Sequence, residues 1–299
     1  MSQYRTTAAL NLRGGPGTDE DILTTLPKGH AVELLDDLAE HPGWWQVSTS
    51  LRGADLRGYV SAAYLRPAAD APAQPSGQPP APIPPVHMPN TRPHAVTRAG
   101  TRRAYALNEA GRPTGDLSAD QLWSIADWLA VENGAHTRYQ PVPGGATYCN
   151  IYAYDLCCLA GQYLPRVWWR KAAIAKLRQG QAVRPVYDDT IHELNANALH
   201  DWLAELGPEF GWQRSESLTE AQNAANGGAL AAIVATTGTA ASGHITILLP
   251  ERGAFAARRS GNRVIAPLQS QAGRHNFKAH TNAWWDSSAY QAWGTWIAR

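Results

Sequence analysis

The stretch from residue 67 to residue 93 constrains the fold of this chain more than any other feature. Alanine, proline, glycine and glutamine dominate it, and no apolar periodicity runs through it, so it lacks the side chains for a core of its own. Its Ala81-Pro-Ile-Pro-Pro85 run favours polyproline II. We interpret it as a linker, either an extended tether or a strap packed on its neighbours. It divides the chain of 299 residues into an N-terminal domain (1–66) and a C-terminal domain (94–299).

Short alternating segments separated by glycine and proline clusters make up the N-terminal domain. We predict strands at Ala9-Leu-Asn-Leu-Arg13, His30-Ala-Val-Glu-Leu-Leu35, Trp44-Trp-Gln-Val-Ser48 and Gly58-Tyr-Val-Ser61. Several short strands at this spacing predict a small β-barrel.

This domain resembles a bacterial SH3 (SH3b) domain at each strand in order. The matching residues are Leu10-Asn-Leu-Arg13, Leu26-Pro-Lys-Gly-His-Ala-Val32, Gly43-Trp-Trp-Gln-Val47, Gly58-Tyr-Val60 and Tyr64-Leu65. The resemblance implies an SH3-like barrel that binds peptidoglycan or another surface ligand. Tyr4, Trp44 and Tyr64 are the candidates for lining its binding groove, although each is equally compatible with the barrel core. We expect one of the two tryptophans to lie in the core.

The C-terminal domain changes from helical to strand periodicity, which predicts an α+β fold. A capping box, Ser118-Ala-Asp-Gln121, opens the first predicted helix, which ends at Asn133-Gly134. The other predicted helices begin at Cys149 or cover residues 167–178, 189–206 and 219–226, and the predicted strands cover 229–235, 244–249 and 262–268. The tryptophan pairs 168–169 and 284–285 either flank a groove or pack in the core.

Cys149 is the candidate nucleophile because it falls in the first turn of its helix. The unpaired backbone N–H groups and the helix dipole at that position favour the thiolate. The alternative is a small buried hydrophobe, which is the commonest fate of a free cysteine. Cys157 and Cys158 are expected to pack in the core, and an odd count of three cysteines argues against a disulfide framework.

His244 is the candidate general base, since it opens a strand directly after a glycine-rich loop. Taken alone, such a histidine is more often a capping or surface residue, but a cysteine at a helix start followed by Gly243-His244 at a strand start favours a Cys–His pair. The next predicted strand and its exit supply Gln269, Gln271 and Asn276 as candidates to orient the imidazole, and Gln269 and Asn276 are also cleft candidates. The backbone N–H of Cys149, helped by Tyr148, is the candidate oxyanion donor.

The C-terminal domain resembles the papain-like NlpC/P60 and CHAP peptidoglycan hydrolases. The matching segments are Thr147-Tyr-Cys-Asn150 with Tyr154-Asp155, Ser242-Gly-His-Ile-Thr-Ile-Leu248 and Gln269-Ser-Gln-Ala-Gly273. The resemblance implies helices packed on an antiparallel sheet, with Cys149 as nucleophile, His244 as base and Gln271 as the orienting residue. It implies cleavage of an amide in the stem peptide or between muramic acid and L-alanine. Tyr-Cys-Asn stands where NlpC/P60 members have Asp-Cys-Ser-Gly.

Composition excludes several other classes. The formal net charge of +1 gives no strong attraction to nucleic acid or acidic membranes, and no apolar run approaches the length of a membrane span. No metal spacing, phosphate loop or Rossmann fingerprint is present, so we expect no metal and no cofactor. No ordinary secretory signal is seen at the start, so we expect synthesis in the cytoplasm.

Three functions follow from these patterns. The leading one is a wall hydrolase delivered by phage lysis, injection or non-classical export, with peptidoglycan as partner and an immunity or delivery protein as a further one. The others are a papain-like transferase or deamidase acting on a protein, and a non-catalytic protein that binds the cell wall.

Overall fold

The computed structural model of the chain describes residues 3–36, 41, 43–51, 53–68, 81–87, 95–100, 102–239 and 241–298. It divides into two compact units, residues 1–79 and 80–299. Residues 69–80 and 88–93 of the predicted linker lie outside the described part of the chain, as do the predicted turn residues Pro42 and Arg52.

The N-terminal unit is a single antiparallel sheet of seven strands. These are β1 (Gln3–Thr6), β2 (Leu10–Arg13), β3 (Ile22–Leu26), β4 (Ala31–Asp36), β5 (Trp44–Leu51), β6 (Ala54–Ser61) and β7 (Leu65–Pro67). Their order in the sheet is β3-β2-β6-β5-β4-β1-β7. Side chains that alternate along these strands bury one face, whose centre is formed by Leu12, Leu26, Val47 and Val60.

The prediction of a closed barrel is wrong for this sheet. Among the described residues, β3 and β7 are its two edges and do not pair with each other. β7 is only three residues long and ends at Pro67, which has no N–H to donate. At the other edge, Ile22 and Leu23 of β3 are exposed. Within the described residues the strands therefore do not form a complete ring around the small core.

The C-terminal unit packs helices on an antiparallel sheet, as predicted. Its helices are α1 (Ala119–Leu129), α2 (Cys149–Leu159), α3 (Lys171–Arg178), α4 (Ala196–Glu205) and α5 (Leu218–Asn226). Its strands are β8 (Val167–Trp169), β9 (Ile191–Glu193), β10 (Trp212–Arg214), β11 (Ala231–Thr236), β12 (His244–Leu248), β13 (Arg258–Ser260), β14 (Arg263–Ala266), β15 (Gln269–Gln271), β16 (Phe277–His280) and β17 (Ala292–Ala298). Short 3₁₀ turns cover Gly207–Phe210 and Trp284–Asp286.

Six of these strands form the main sheet, in the order β10-β17-β11-β12-β15-β16. The strands β8 and β9 form a separate pair, and so do β13 and β14. The predicted strand 262–268 is therefore β14 of a side hairpin, and the neighbour of β12 is the next strand, β15. Helix α2 packs against β12, which brings the start of the helix to the sheet.

The predicted starts of two helices are wrong. Trp168 and Trp169 belong to strand β8, and helix α3 starts only at Lys171. Both indoles are buried, so their spacing carries no amphipathic signal that separates strand from helix. Helix α4 begins after Asn195, whose Oδ1 accepts the N–H of Ala198, and not at residue 189.

Helix α1 begins as predicted but ends early. The Ser118 hydroxyl accepts the backbone N–H of Gln121, as the capping box requires. The helix stops at Leu129, and not at the predicted Asn133-Gly134, because Ala130 adopts a left-handed conformation with φ of 42°.

Residues 81–87 lie on the C-terminal unit as a strap. Ile83 and Val86 are buried in its core. The Trp169 indole donates to the Pro84 carbonyl at 2.9 Å, and the Val86 N–H donates to the Tyr163 hydroxyl at 2.9 Å. For these residues the packed alternative is the one observed.

A buried ion pair fastens α2 to the loop before it. Asp155 accepts from Arg138 Nε at 2.6 Å, from Arg138 Nη2 at 2.8 Å and from the Tyr139 hydroxyl at 2.9 Å. Because both charged side chains are fully buried, these bonds specify how the helix sits on the rest of the unit. Within the described ranges, no helix is both long and apolar enough to cross a bilayer.

Candidate active site

Cys149 is the first residue of α2, so its thiol lies where the helix has unbonded N–H groups. The backbone N–H groups of Asn150 and Ile245 donate to its sulfur. The residue is 3% exposed. Donors from both the helix and strand β12 therefore surround a sulfur that solvent reaches only slightly.

His244 opens strand β12, directly opposite Ala235 of β11. Its half-buried imidazole is hydrogen bonded to the Cys149 thiol. The other contact is made by Nε2, which lies 2.5 Å from Gln271 Oε1. With Nε2 occupied by the amide, Nδ1 is the nitrogen left for the thiol.

Gln271 ends strand β15, the strand beside β12 in the sheet. Its Nε2 donates to the His275 carbonyl at 2.9 Å, which turns Oε1 toward the imidazole. A Cβ on Gly273 would lie 3.1 Å from the Gln271 amide nitrogen and 3.3 Å from His244 Cε1. Glycine at this position therefore lets the β15–β16 turn pass close behind the pair.

The pKa shifts of the two central groups favour an ion pair. Burial raises the pKa of Cys149, but the charge and hydrogen bond of His244 and the two backbone donors outweigh it, so the net pKa is lowered. Burial lowers the pKa of His244, but Cys149 and the Gln271 hydrogen bond outweigh that effect, so the net pKa is raised. A thiolate and an imidazolium are the forms that these shifts stabilise.

Trp284 forms one side of the site, next to the imidazole. Its ring meets that of His244 edge to face, with centroids 4.6 Å apart. Its indole N–H donates to Gln269 Oε1 at 2.8 Å. Of the two tryptophan pairs noted in the sequence, only Trp284 contacts the site; Trp168, Trp169 and Trp285 are buried in the core.

Gln269 and Asn276, the other two polar candidates, bond to neighbouring loops and not to the imidazole. Gln269 is fully buried, and its amide donates to the Asn282 carbonyl at 2.9 Å. The Asn276 amide donates to the Val131 and Tyr139 carbonyls, each at 3.1 Å. Both side chains therefore hold loops in place around the site.

Tyr148 precedes Cys149 as the residue that caps the helix, without a side-chain capping bond. The Arg102 guanidinium covers its ring at 4.0 Å from the centroid. The predicted oxyanion role of Tyr148 stays a prediction, since the contacts of its hydroxyl do not test it. In the same helix Cys157 is buried as expected, but Cys158 is exposed, which contradicts its predicted place in the core.

The three aromatic candidates for wall binding lie in different environments. Tyr4 packs edge to face on Trp45, with centroids 4.6 Å apart, and both rings contact the core of the N-terminal unit. Trp45 is therefore the tryptophan expected in the core. Trp44 is half-buried, and Tyr64 is 50% exposed.

A groove of about 630 Å³ runs along the N-terminal sheet, and polar side chains dominate it. It is lined by Gln3, Ala31, Val32, Glu33, Ser48, Thr49, Ser50, Asp55, Leu56 and Arg57. None of the three aromatic candidates lines this groove. The sequence signal that predicts it is the alternation of polar residues with core residues on β4 to β6. No group of three or more histidine, cysteine or acidic residues suited to a metal ion occurs in the described part of the chain.

Comparison with known proteins identifies the N-terminal unit. Residues 8–66 match the bacterial SH3 domain family. No curated protein matches the chain. The solved structures similar to it include NlpC2 from Trichomonas vaginalis, at 10% identity and a TM-score of 0.27, with 99% of this chain and 71% of that chain covered. They also include NlpC1 from the same organism, at 9% identity and a TM-score of 0.28, with 99% of this chain and 68% of that chain covered. TM-scores this low do not establish a shared fold.

Proposed function

We propose that this protein is a papain-like cysteine hydrolase of peptidoglycan, which its SH3 domain holds at the cell wall. The observation that carries the proposal is the hydrogen-bonded chain from Cys149 through His244 to Gln271. A thiol, an imidazole and an orienting amide in this order are the parts that nucleophilic acyl transfer requires.

In the proposed reaction the Cys149 thiolate attacks the carbonyl carbon of an amide, and a C–S bond forms. The C–N bond then breaks as the His244 imidazolium gives its proton to the leaving nitrogen. Water, deprotonated by the now neutral imidazole, attacks the thioester and releases the acid, which restores the thiol pair. Gln271 accepts from Nε2 throughout, so the ring presents Nδ1 to the sulfur and to the leaving group.

The match of residues 8–66 to bacterial SH3 domains supports the wall as the place of action. The polar groove on β1, β4, β5 and β6 has Glu33, Asp55 and Arg57 for a ligand with charges of both signs. We propose action at the cell wall or periplasm after phage lysis, injection or non-classical export, with an immunity or delivery protein as a further partner.

Muropeptide analysis of digested sacculi tests the proposal. Full-length protein is incubated with purified sacculi beside two variants, Cys149→Ala and Cys157→Ala. The second removes a buried thiol from the same helix and is the matched control. We expect the wild type and Cys157→Ala to release fragments with a new amine and a new carboxylate, and Cys149→Ala to release none.

Other results would contradict the proposal. Equal release by Cys149→Ala would exclude this mechanism. Unchanged muropeptides from all three proteins, with sacculi pulled down by each, would indicate a wall-binding protein without activity. Unchanged muropeptides together with a covalent change in a co-incubated protein would indicate a transferase or deamidase.

A further inference from the structure

Tyr290 lies on the same side of the site as Trp284, although it belongs to no predicted motif. The Trp284 ring contacts both the His244 ring and the Tyr290 ring edge to face, with centroids 4.6 and 5.3 Å apart. Trp284 and Tyr290 therefore form an aromatic wall that is continuous with the imidazole.

The sheet explains why Tyr290 is brought here. Ala235 of β11 is paired with His244 on one side and with Trp293 of β17 on the other. Just before β17, the Gln291 N–H donates to the Thr236 carbonyl at 2.8 Å. The segment holding Tyr290 is thus anchored to the same end of the sheet as the imidazole.

The Tyr290 side chain is close enough to the site for the charges of Cys149 and Arg274 to act on it, and it is a neutral donor. Burial, followed by the charge of Cys149, raises the pKa of this half-buried phenol, while Arg274 lowers it to a smaller extent. The side chain therefore keeps its proton at neutral pH. Among the described residues, none accepts a hydrogen bond from the Tyr290 hydroxyl, so it is available to a bound molecule.

A pinned turn places Arg274 beside the imidazole at which this wall starts. It follows Gly273, whose backbone packs behind the His244 ring. The Gly273 N–H donates to Asn276 Oδ1 at 2.9 Å, which with the Gln271 bond to His275 holds the turn. Arg274 itself is exposed, and no described carboxylate forms an ion pair with it.

We propose that Arg274 and Tyr290 bind a carboxylate on the leaving-amine half of the substrate. This inference rests on the proposed hydrolysis. His244 protonates the leaving nitrogen, so the part of the substrate attached to that nitrogen lies on the imidazole side, along Trp284. The Arg274 guanidinium, whose charge acts on Tyr290, and the Tyr290 hydroxyl are donors suited to one carboxylate. The substrate class is a peptide amide whose leaving amino acid carries a free carboxylate.

The test uses two synthetic peptides that contain the bond cleaved in sacculi. They differ in one group: the leaving amino acid has a free carboxylate in one peptide and a carboxamide in the other. Full-length wild type, Arg274→Gln, Arg274→Lys, Tyr290→Phe and the control Arg263→Gln are compared by kcat/KM on both. Arg263 is an exposed arginine on β14 of the side hairpin.

We expect the wild type to prefer the acid by about tenfold or more, because a charge-assisted pair is lost with the amide. Arg274→Gln should reduce that ratio to near one and Arg274→Lys should keep part of it. Tyr290→Phe should reduce the ratio less than Arg274→Gln, and Arg263→Gln should leave it unchanged.

Two negative results are distinguishable. If the wild type cleaves both peptides equally, or if Arg274→Gln keeps the wild-type ratio, the subsite is excluded while the hydrolase stands. If the wild type cleaves neither peptide and leaves sacculi intact, the proposed function itself is excluded, and the inference with it.

Discussion

His244 Nε2 lies 2.5 Å from Gln271 Oε1, and the amide is held in that direction by donating its own N–H to the His275 carbonyl. The bond stabilises the imidazolium because an acceptor oxygen faces a ring N–H. This bond leaves Nδ1 as the ring nitrogen that faces the thiol, and it adds to the larger effect of Cys149 in raising the pKa of His244.

Replacing Gln271 by Ala should reduce kcat/KM by about 10- to 100-fold, since the imidazole loses its orientation. The bond to Gln271 raises the pKa of His244. Without it the imidazolium loses its proton at lower pH, so the alkaline limb of the pH–rate profile should move to lower pH. The control is Gln213→Ala, an exposed position on β10. An unchanged alkaline limb in Gln271→Ala would contradict the orienting role.

Trp284 makes two contacts in the site, and two substitutions test them one at a time. Trp284→Phe keeps a ring against His244 but loses the N–H bond to Gln269, so we expect a loss of about 1 kcal/mol in stability and little change in kcat. Trp284→Ala removes the ring and should lower kcat about tenfold or more, because the imidazole becomes mobile. Thermal unfolding measures the stability of each variant, and steady-state kinetics measures its kcat. Equal kcat in the two variants would show that the ring contact does not matter.

Asp155→Asn should destabilise the C-terminal unit by about 3–5 kcal/mol, because it leaves the buried Arg138 guanidinium without its counter-charge. The matched control is Asp127→Asn, which breaks the ion pair with Lys278 at the surface and should cost less than about 1 kcal/mol. Urea unfolding followed by tryptophan fluorescence gives both values. A loss of the same size in the two variants would mean that burial does not increase the contribution of the Arg138–Asp155 pair to stability.

The strap formed by residues 81–87 should contribute to the stability of the C-terminal unit. Ile83→Ala removes a side chain that is 3% exposed, and we expect a loss of about 2–4 kcal/mol. The same substitution at Ile265, which is 42% exposed, should change stability by less than about 0.5 kcal/mol. If both variants unfold at the same urea concentration, residues 81–87 do not contribute to the stability of the C-terminal unit.

Three residues that the sequence analysis selects, Cys149, His244 and Gln271, lie together in the structure. Helix α2 starts at Cys149 after a turn-rich run, and β12 starts at His244 after a glycine-rich loop, so both side chains lie at element ends, where local patterns are informative. Gln271 was selected from three polar candidates by a resemblance, and the structure brings it and not Gln269 or Asn276 to the imidazole.

Other features depend on long-range pairing that no local pattern reports. Tyr290 reaches the site only because β17 pairs with β11, far from its own position in the chain. Trp168 and Trp169 are buried on both faces of a two-stranded pair, so the periodicity that distinguishes a strand from a helix is missing. The open edges of the N-terminal sheet depend in the same way on which strands pair.

The ionisation of Cys149 tests the central claim most directly, because the account requires a thiol activated by His244. The rate of iodoacetamide alkylation is measured against pH in a Cys157→Ala/Cys158→Ala background, with and without His244→Ala. We expect the thiolate to form below the ordinary thiol pKa of about 8.5, and the transition to move to higher pH when His244 is removed. A transition at or above that value in both proteins would contradict the account.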